Sequence, residues 1–438
     1  MTAQHPRPAS SGPDRAAPGP ARHRVAYLVS KYPAISHTFI EREIQAVRTQ
    51  GVEVATFSVR PCPEDELRSS EMRAEAASTT NLLDDVARRF PGAHARLLRQ
   101  RPAAWASGLR RALWSGDRTA RARLWQTFYF AEAVVLLDEL RRRDIRHVHV
   151  HFANVSADVA RLVVHLGRII DGPDAGWRWS MTMHGPTEFE AVEKVDLAAK
   201  VASADGVACI SDFCRSQLMR LVAPSQWPKL HVVRMAVDPR RYVPPPGGRD
   251  TTGDRPLRIL DVGRLVPEKG APVLIDAVAE LRDAGVEVEV RIVGGGELED
   301  DLRDQIRARD LGDRVSLLGP IGQDDILEQY HWADVFVLPS FQEGLPVVIM
   351  EALATELPVV TTRIAAVEEL VEDGRMGRVL PPGRGDLLAG ALADLARDPD
   401  ARARMGRTGR DAVLRSFTTD TTAGPMSDFL AGVGSRRS

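Results

Sequence analysis

A chain of 438 residues exceeds one ordinary hydrophobic core, so two domains are expected. Its 44% hydrophobic and 27% charged residues suit a globular protein in water, and a formal net charge of −2 provides no global basic field for nucleic acid. No apolar run approaches the roughly 18–20 residues that a membrane-spanning helix needs.

Residues 1–22 are rich in Pro, Ala and Arg, with no apolar segment, and read as a disordered tail rather than a signal peptide. RVAYLVS (24–30) reads as a strand, Phe39 to Thr49 as a helix and VEVATFSV (52–59) as a second strand, an order that favours a parallel α/β sheet. Residues 65–143 have leucine and alanine at helical spacings and read as a helical insertion. Strands resume at HVHVHF (147–152) and WRWSMTM (177–183), then at GVACI (206–210) and LHVVRM (230–235). VPPPGGRDTTGDRP (243–256) cannot pack a core and reads as the interdomain linker. A second series follows: LRILDVG (257–263), VEVRIVG (288–294), VSLLG (315–319), DVFVLPS (334–340) and LPVVTT (357–362). The expected fold class is therefore α/β, with two Rossmann-like doubly wound domains, 23–242 and 257–415, facing a cleft. Residues 416–438 are expected to form a C-terminal crossover helix and tail, the helix returning to the N-terminal domain. In such sheets ligands bind beyond the carboxyl ends of the strands.

The loop LDVGRLVPEKG places Gly263, Arg264 and Lys269 beyond a strand end, where a fork and a point charge could grip a diphosphate. VGGGELEDDL (293–302) lacks the P-loop lysine and the dinucleotide spacing, so Gly295 and Gly296 read as a tight turn needing positive φ. In LPSFQEGLPVVIMEAL (338–353), Pro346 suits a first helical turn, so Gly344, Leu345, Pro346 and Val347 lie at a helix N-terminus, an anion site. Glu343 precedes that helix. Glu351 interrupts its apolar run and needs a donor, which a ribose diol could supply.

His184 ends a strand and precedes Gly185, which places it at the cleft, with Glu188 able to orient it or to serve the acceptor. His147, His149 and His151 share one strand face. Same-face neighbours stand ~6.5–7 Å apart along a strand, too far to converge easily on one zinc, so packing is expected, with His151 reaching the acceptor. Ser36 and His37 open the first helix, Ser36 as a candidate N-cap. Cys62, Cys209 and Cys214 form no zinc-like cluster and fit a reducing cytoplasm. Between 88 and 125 stand Arg88, Arg89, Arg96, Arg99, Arg101, Arg110, Arg111, Arg118, Arg121 and Arg123, with Asp117 as the only acid and Trp105, Trp114 and Trp125 interleaved. That pattern suits an anionic membrane surface, or equally a solvated helical face with its tryptophans in the core.

LPSFQEGLPVVIMEAL fits the E-x7-E motif of retaining family-4 glycosyltransferases of GT-B fold, as do GRLVPEKG, HWADVFVLPS and LPVVTTRIAAVEELVEDGRMG. In the first half YPAISHTFIEREIQAV, HVHVHFANVSADVARL, SMTMHGPTEF and CISDFCRSQL look like the exopolysaccharide subgroup, such as colanic-acid-type enzymes. The resemblance implies that Arg264 and Lys269 bind the nucleotide diphosphate, Glu343 the donor sugar and Glu351 the ribose. Backbone N–H groups of 344–347 touch sugar and phosphate, and His184 meets the sugar near the reacting carbon. Relatives usually carry Glu where His37 stands, which puts acceptor recognition in question; many carry glycine at Ala236, whose loop could still place Arg234 near the phosphates. The implied reaction is transfer from a nucleotide diphosphate sugar to a glycan or polyprenyl-linked glycan, keeping the anomeric configuration. No metal or other cofactor is implied, since the cleft motifs hold no clustered Asp-x-Asp, and the partners include no nucleic acid. A nucleotide-sugar 2-epimerase and a non-catalytic nucleotide-sugar-binding protein are the alternatives. The expected place is the cytoplasm, at the inner membrane face if the Arg-rich region docks.

Overall fold

The computed structural model describes residues 23–34, 37–67, 69–117, 119–190, 192–249 and 255–435. The tail at 1–22 and Ser36 lie outside them, as does Arg118.

The first half carries seven strands: β1 (Arg24–Lys31), β2 (Glu53–Arg60), β3 (Thr80–Asn81), β4 (His147–His151), β5 (Arg178–Met183), β6 (Gly206–Cys209) and β7 (Leu230–Val232). Its helices are α1 (Thr38–Thr49), α2 (Ser70–Ser78), α3 (Val86–Gln100), α4 (Pro102–Leu113), α5 (Ala120–Arg142), α6 (Val155–Asp171), α7 (Pro186–Glu190), α8 (Leu197–Ser203) and α9 (Asp212–Leu221). The second half has β8 (Leu257–Val262), β9 (Val288–Val293), β10 (Val315–Gly319), β11 (Val335–Leu338), β12 (Val359–Thr362) and β13 (Gly377–Leu380). Around them pack α10 (Ala271–Asp283), α11 (Glu299–Ala308), α12 (Ile326–Trp332), α13 (Val347–Ala354), α14 (Gly385–Arg397), α15 (Pro399–Ser416) and α16 (Thr419–Ser435).

The strand orders are β3-β2-β1-β4-β5-β6-β7 and β10-β9-β8-β11-β12-β13, and the pairings are parallel. Covered on both faces, such strands read as near-continuous apolar runs; β11, VFVL, is buried throughout. Each order reverses once, between β1 and β4 and between β8 and β11. A crevice opens at such a reversal, because the flanking loops run to opposite sides. The loops after β8 and β11 carry Gly263–Lys269 and Glu343, so both charged motifs stand at the same switch point.

Several expected boundaries move. β11 stops at Leu338 rather than Ser340, where Pro339 has no N–H to donate. β3 and β13 are additional strands, too short to show a period. Of the expected linker, 243–256, residues 250–254 lie outside the described residues, and the described part is anchored. Tyr242, just before it, is fully buried. Within it, Arg249 donates to the Tyr330 carbonyl at 3.1 Å and the Thr355 carbonyl at 2.6 Å.

The last helix returns to the first domain. Met426, Phe429, Leu430 and Val433 of α16 share a core with Val25, Tyr27, Ile40 and Ile44. Gly206 makes room for it, since a Cβ there would press on Val433 and Phe429. The helical insertion packs inward as well: Ala104, Ala112, Phe130 and Leu137 join the main core of that domain.

Candidate functional site

The two strand-end turns meet. A Cβ built on Gly344 would fall on the carbonyl oxygen of His184, and one on Gly185 would lie 3.1 Å from Gly344 Cα. Glycine at 344 is what lets the backbone following His184 close on the start of α13. Gly185 has φ +127, which suits only glycine. Beside this contact Gln342 of the second domain donates to Glu190 of the first.

On the second-domain side, Lys269 Nζ lies 2.6 Å from Glu343 Oε1, which also accepts from Ser340 Oγ at 2.7 Å. Glu343 is buried by its partners, and Gly263 borders the Lys269 side chain, a Cβ there lying 3.8 Å from it. Arg264 is exposed on the same loop. The Gly-rich turn rests on that loop: a Cβ on Gly294 would fall on the Gly263 carbonyl, and one on Gly296 on the Leu265 carbonyl. Positive φ is confined to Gly294 there, so close approach, rather than the expected turn conformation, requires glycine at 296.

Helix α13 begins at Val347, and Pro346 occupies the N-cap with φ −73 and ψ 114. The expected first-turn proline is one position early. The N–H groups that open α13 have no partner within the helix and, together with those of Gly344 and Leu345, give this corner its donor character.

Glu351 has partners that the local sequence could not name. Its Oε1 accepts from Arg42 Nη2 at 2.8 Å and its Oε2 from Tyr330 Oη at 2.9 Å. Arg42 comes from α1 of the first domain and also donates to Gln323 Oε1 at 2.6 Å and Tyr242 Oη at 3.0 Å. Burial works against its charge, but Glu351 and Tyr242 more than offset that and hold the guanidinium above its usual pKa. This buried pair joins the two domains. A carboxylate has about four acceptor positions, so two remain open at Glu351.

A second buried acid lies under the Gly263–Lys269 loop. Asp261, at the end of β8, is pushed up to about 7, first by burial and then by Glu343, with Lys269 acting in the other direction. Its Oδ1 has no hydrogen-bond partner among the described residues.

On the first-domain side, Glu188 fixes the turn. Its Oε2 accepts from the backbone N–H of His184 at 3.0 Å and of Gly185 at 3.1 Å, and its Oε1 from Ala153 N at 2.5 Å. One carboxylate thus ties the ends of β4 and β5 together, which is the orienting alternative raised for it. His151 is not at an open acceptor edge as expected. It is fully buried behind His184, with Nδ1 2.9 Å from His184 Nε2. Its Nε2 is 3.2 Å from Glu43 Oε1, which accepts from Tyr27 Oη at 3.0 Å. Burial, then His151 and His37, hold His184 well below the ordinary histidine range, so its ring is neutral. Its Nδ1 has no partner among the described residues. His37 occupies the N-cap position of α1, its ring 5.3 Å from that of Phe152. Burial holds it down at about 4.

Glu43, His149 and His151 bring one ligand atom each within 4.8 Å of one another. His149, however, has Nδ1 2.9 Å from Ser180 Oγ and Nε2 3.1 Å from Thr182 Oγ1, so hydroxyls already occupy both ring nitrogens. Arg234 is paired with Asp212 and Glu369, at 3.0 and 3.3 Å.

Two facing doubly wound domains with a C-terminal helix crossing back are the GT-B architecture. Residues 251–412 match the family described as Glycosyl transferases group 1, and the chain carries that domain. Over 427 residues it is 29% identical to WcaL of Escherichia coli (strain K12), named for colanic acid biosynthesis, covering 93% of this chain and 99% of that protein. It is 33% identical over 264 residues to the amylovoran biosynthesis glycosyltransferase AmsK of Erwinia amylovora, covering 58% of this chain and 61% of that protein. Among solved structures, Anabaena Alr3699/HepE in complex with UDP superposes with TM-score 0.70 at 16% identity, covering 94% of this chain and all of that one.

Proposed function

We propose that this protein is a retaining, metal-independent glycosyltransferase that moves a sugar from a nucleotide diphosphate sugar to a hydroxyl of a glycan or lipid-linked glycan. The setting would be extracellular or cell-surface polysaccharide biosynthesis, as the names of WcaL and AmsK suggest. One observation carries the reading: the His184–Gly185 turn closes on Gly344 beside the Lys269–Glu343 pair, at the switch point of the second sheet.

In this reading Arg264, Lys269 and the N–H groups that open α13 stabilise the departing diphosphate, the largest charge that develops. Glu343 accepts from donor-sugar hydroxyls, and the open positions on Glu351 receive the ribose. His151 Nε2 lies 3.2 Å from the Glu43 carboxylate, whose charge favours a proton on that nitrogen and leaves Nδ1 to accept from His184 Nε2–H. His184 then presents a lone pair on Nδ1 to the sugar. Glu188 is a positioning residue, acting through the backbone. The leaving phosphate oxygen takes the acceptor proton on the face it departs from. His37 would border the acceptor.

Incubation with a panel of nucleotide sugars tests this. Slow release of free nucleotide without acceptor, faster with it, is the expected result. An epimerised sugar would indicate the 2-epimerase, and unchanged donor a binding protein.

Asp261 gives the site a pH dependence. Below about pH 7 its carboxyl is neutral; above, an added negative charge sits under the diphosphate loop. Donor KM is therefore expected to rise several-fold from pH 6 to pH 8, by the change in Coulomb energy, and Asp261→Asn should flatten that rise. A KM profile identical in both proteins would count against it.

A further inference from the structure

The helical insertion carries a surface that the transfer chemistry does not use. Trp105 turns inward and donates to His94 Nδ1 at 3.1 Å. Trp114 and Trp125 turn outward. Trp114 is 68% exposed, Leu124 56%, Phe128 50% and Trp125 41%. Leu124 and Trp125 share the outer face of α5 with Arg121 and Phe128, each of which stands three to four residues from both. The opposite face, with Phe130, Ala133, Val134 and Leu137, is in the core. Trp114 ends α4, which packs on α5.

Charge gathers on the same two helices. Arg110, Arg111, Arg121 and Arg123 have no ion-pair partner among the described residues, whereas Arg96 and Arg141 of the same insertion pair with Asp138 and Asp171. Between 86 and 128 the sequence holds ten arginines and one acid, Asp117. The excess acts inside the protein too: His165 is held down at about 4 by burial, then by Arg111, Arg110 and Arg168.

We infer that the outer face of α4 and α5 docks on an anionic phospholipid surface. Guanidiniums without internal partners complement a negative headgroup layer. Tryptophans suit the headgroup boundary, and Leu124 and Phe128 reach the acyl region beneath it. A nucleic acid would use the charge but leave Leu124 without a purpose. No described helix is long and apolar enough to cross a membrane, so the contact lies along the surface. Nothing here depends on a sugar being transferred.

Cosedimentation of the full chain with vesicles tests the inference. Binding is expected to phosphatidylglycerol mixed with phosphatidylcholine, weakening with salt, and not to phosphatidylcholine alone. At about 1 kcal/mol per arginine, Arg121→Gln with Arg123→Gln should weaken it roughly 30-fold, and Arg110→Gln with Arg111→Gln similarly. Brominated lipid should quench tryptophan fluorescence, and Trp125→Ser should reduce that quenching. These residues are exposed, so melting temperatures should stay unchanged. Equal binding to both vesicle types, or undiminished binding by both double variants, would overturn the proposal. So would self-association through this face that Trp125→Ser abolishes, or binding to RNA in place of vesicles.

Discussion

Lys269→Ala should lower turnover at least tenfold while the fold persists. The ammonium sits 2.6 Å from Glu343 on the loop after β8, the loop that would face the diphosphate. Charge on the leaving group grows toward the transition state, so a fixed cation at that point acts more strongly there than on the bound donor. The loss should therefore appear in kcat as well as in kcat/KM. Glu343→Ala should have a comparable effect by removing the acceptor for sugar hydroxyls and leaving the Lys269 ammonium unpaired. Glu343 sits in a turn, and Ser340 keeps hydrogen bonds of its own, such as that from Thr362 Oγ1 to its carbonyl, so neither substitution should unfold the domain. Steady-state rates with the preferred donor, alongside circular dichroism, check both. Wild-type turnover in either variant would remove these residues from the reaction.

Arg42→Ala should cost about 3–5 kcal/mol of stability, because it strands a buried carboxylate at Glu351. Both side chains of the pair are nearly inaccessible, at 12% and 4% exposure, so water cannot readily replace the guanidinium. Tyr330 would still donate to Oε2, but Oε1 would lose the Arg42 guanidinium. The pair spans the two domains, so the loss should also loosen them and raise donor KM. Adding Glu351→Gln to Arg42→Ala should recover much of the stability, since no charge is then left buried. Chemical denaturation of the single and double variants measures this. Additive losses would mean that the pair is not coupled.

These two predictions mark what the sequence could and could not reveal. Gly263, Arg264, Lys269 and Glu343 were legible because a strand end, a glycine and a charge recur within a few residues, and parallel sheets direct such loops to a cleft. His184 and Gly185 followed the same logic. The apolar runs of the second domain were legible because its strands are buried on both faces. Arg42 was not legible: it stands 309 residues from Glu351, and only the domain arrangement joins them. Glu351 needs a donor that its local sequence does not hold, and the chain itself supplies Arg42 and Tyr330 from other elements. The depth of His151 was hidden for a similar reason. Its period-2 spacing identified the strand face, but α1, through Glu43, covers that face. Asp261 passed unnoticed inside LRILDV, where a single acid in a strand gives no periodic signal. Pro346 was one position off because proline is compatible with both the N-cap and the first turn, and only backbone geometry separates them.

The central claim is that the second domain holds the pyrophosphate of a nucleotide sugar between the Lys269 loop and the start of α13. Calorimetric titration of UDP and GDP into the wild-type protein and Lys269→Ala tests it most directly. The account predicts saturable binding of at least one of them, weakened at least tenfold by the substitution. Failure of both nucleotides to bind, or equal affinity in the two proteins, would contradict it.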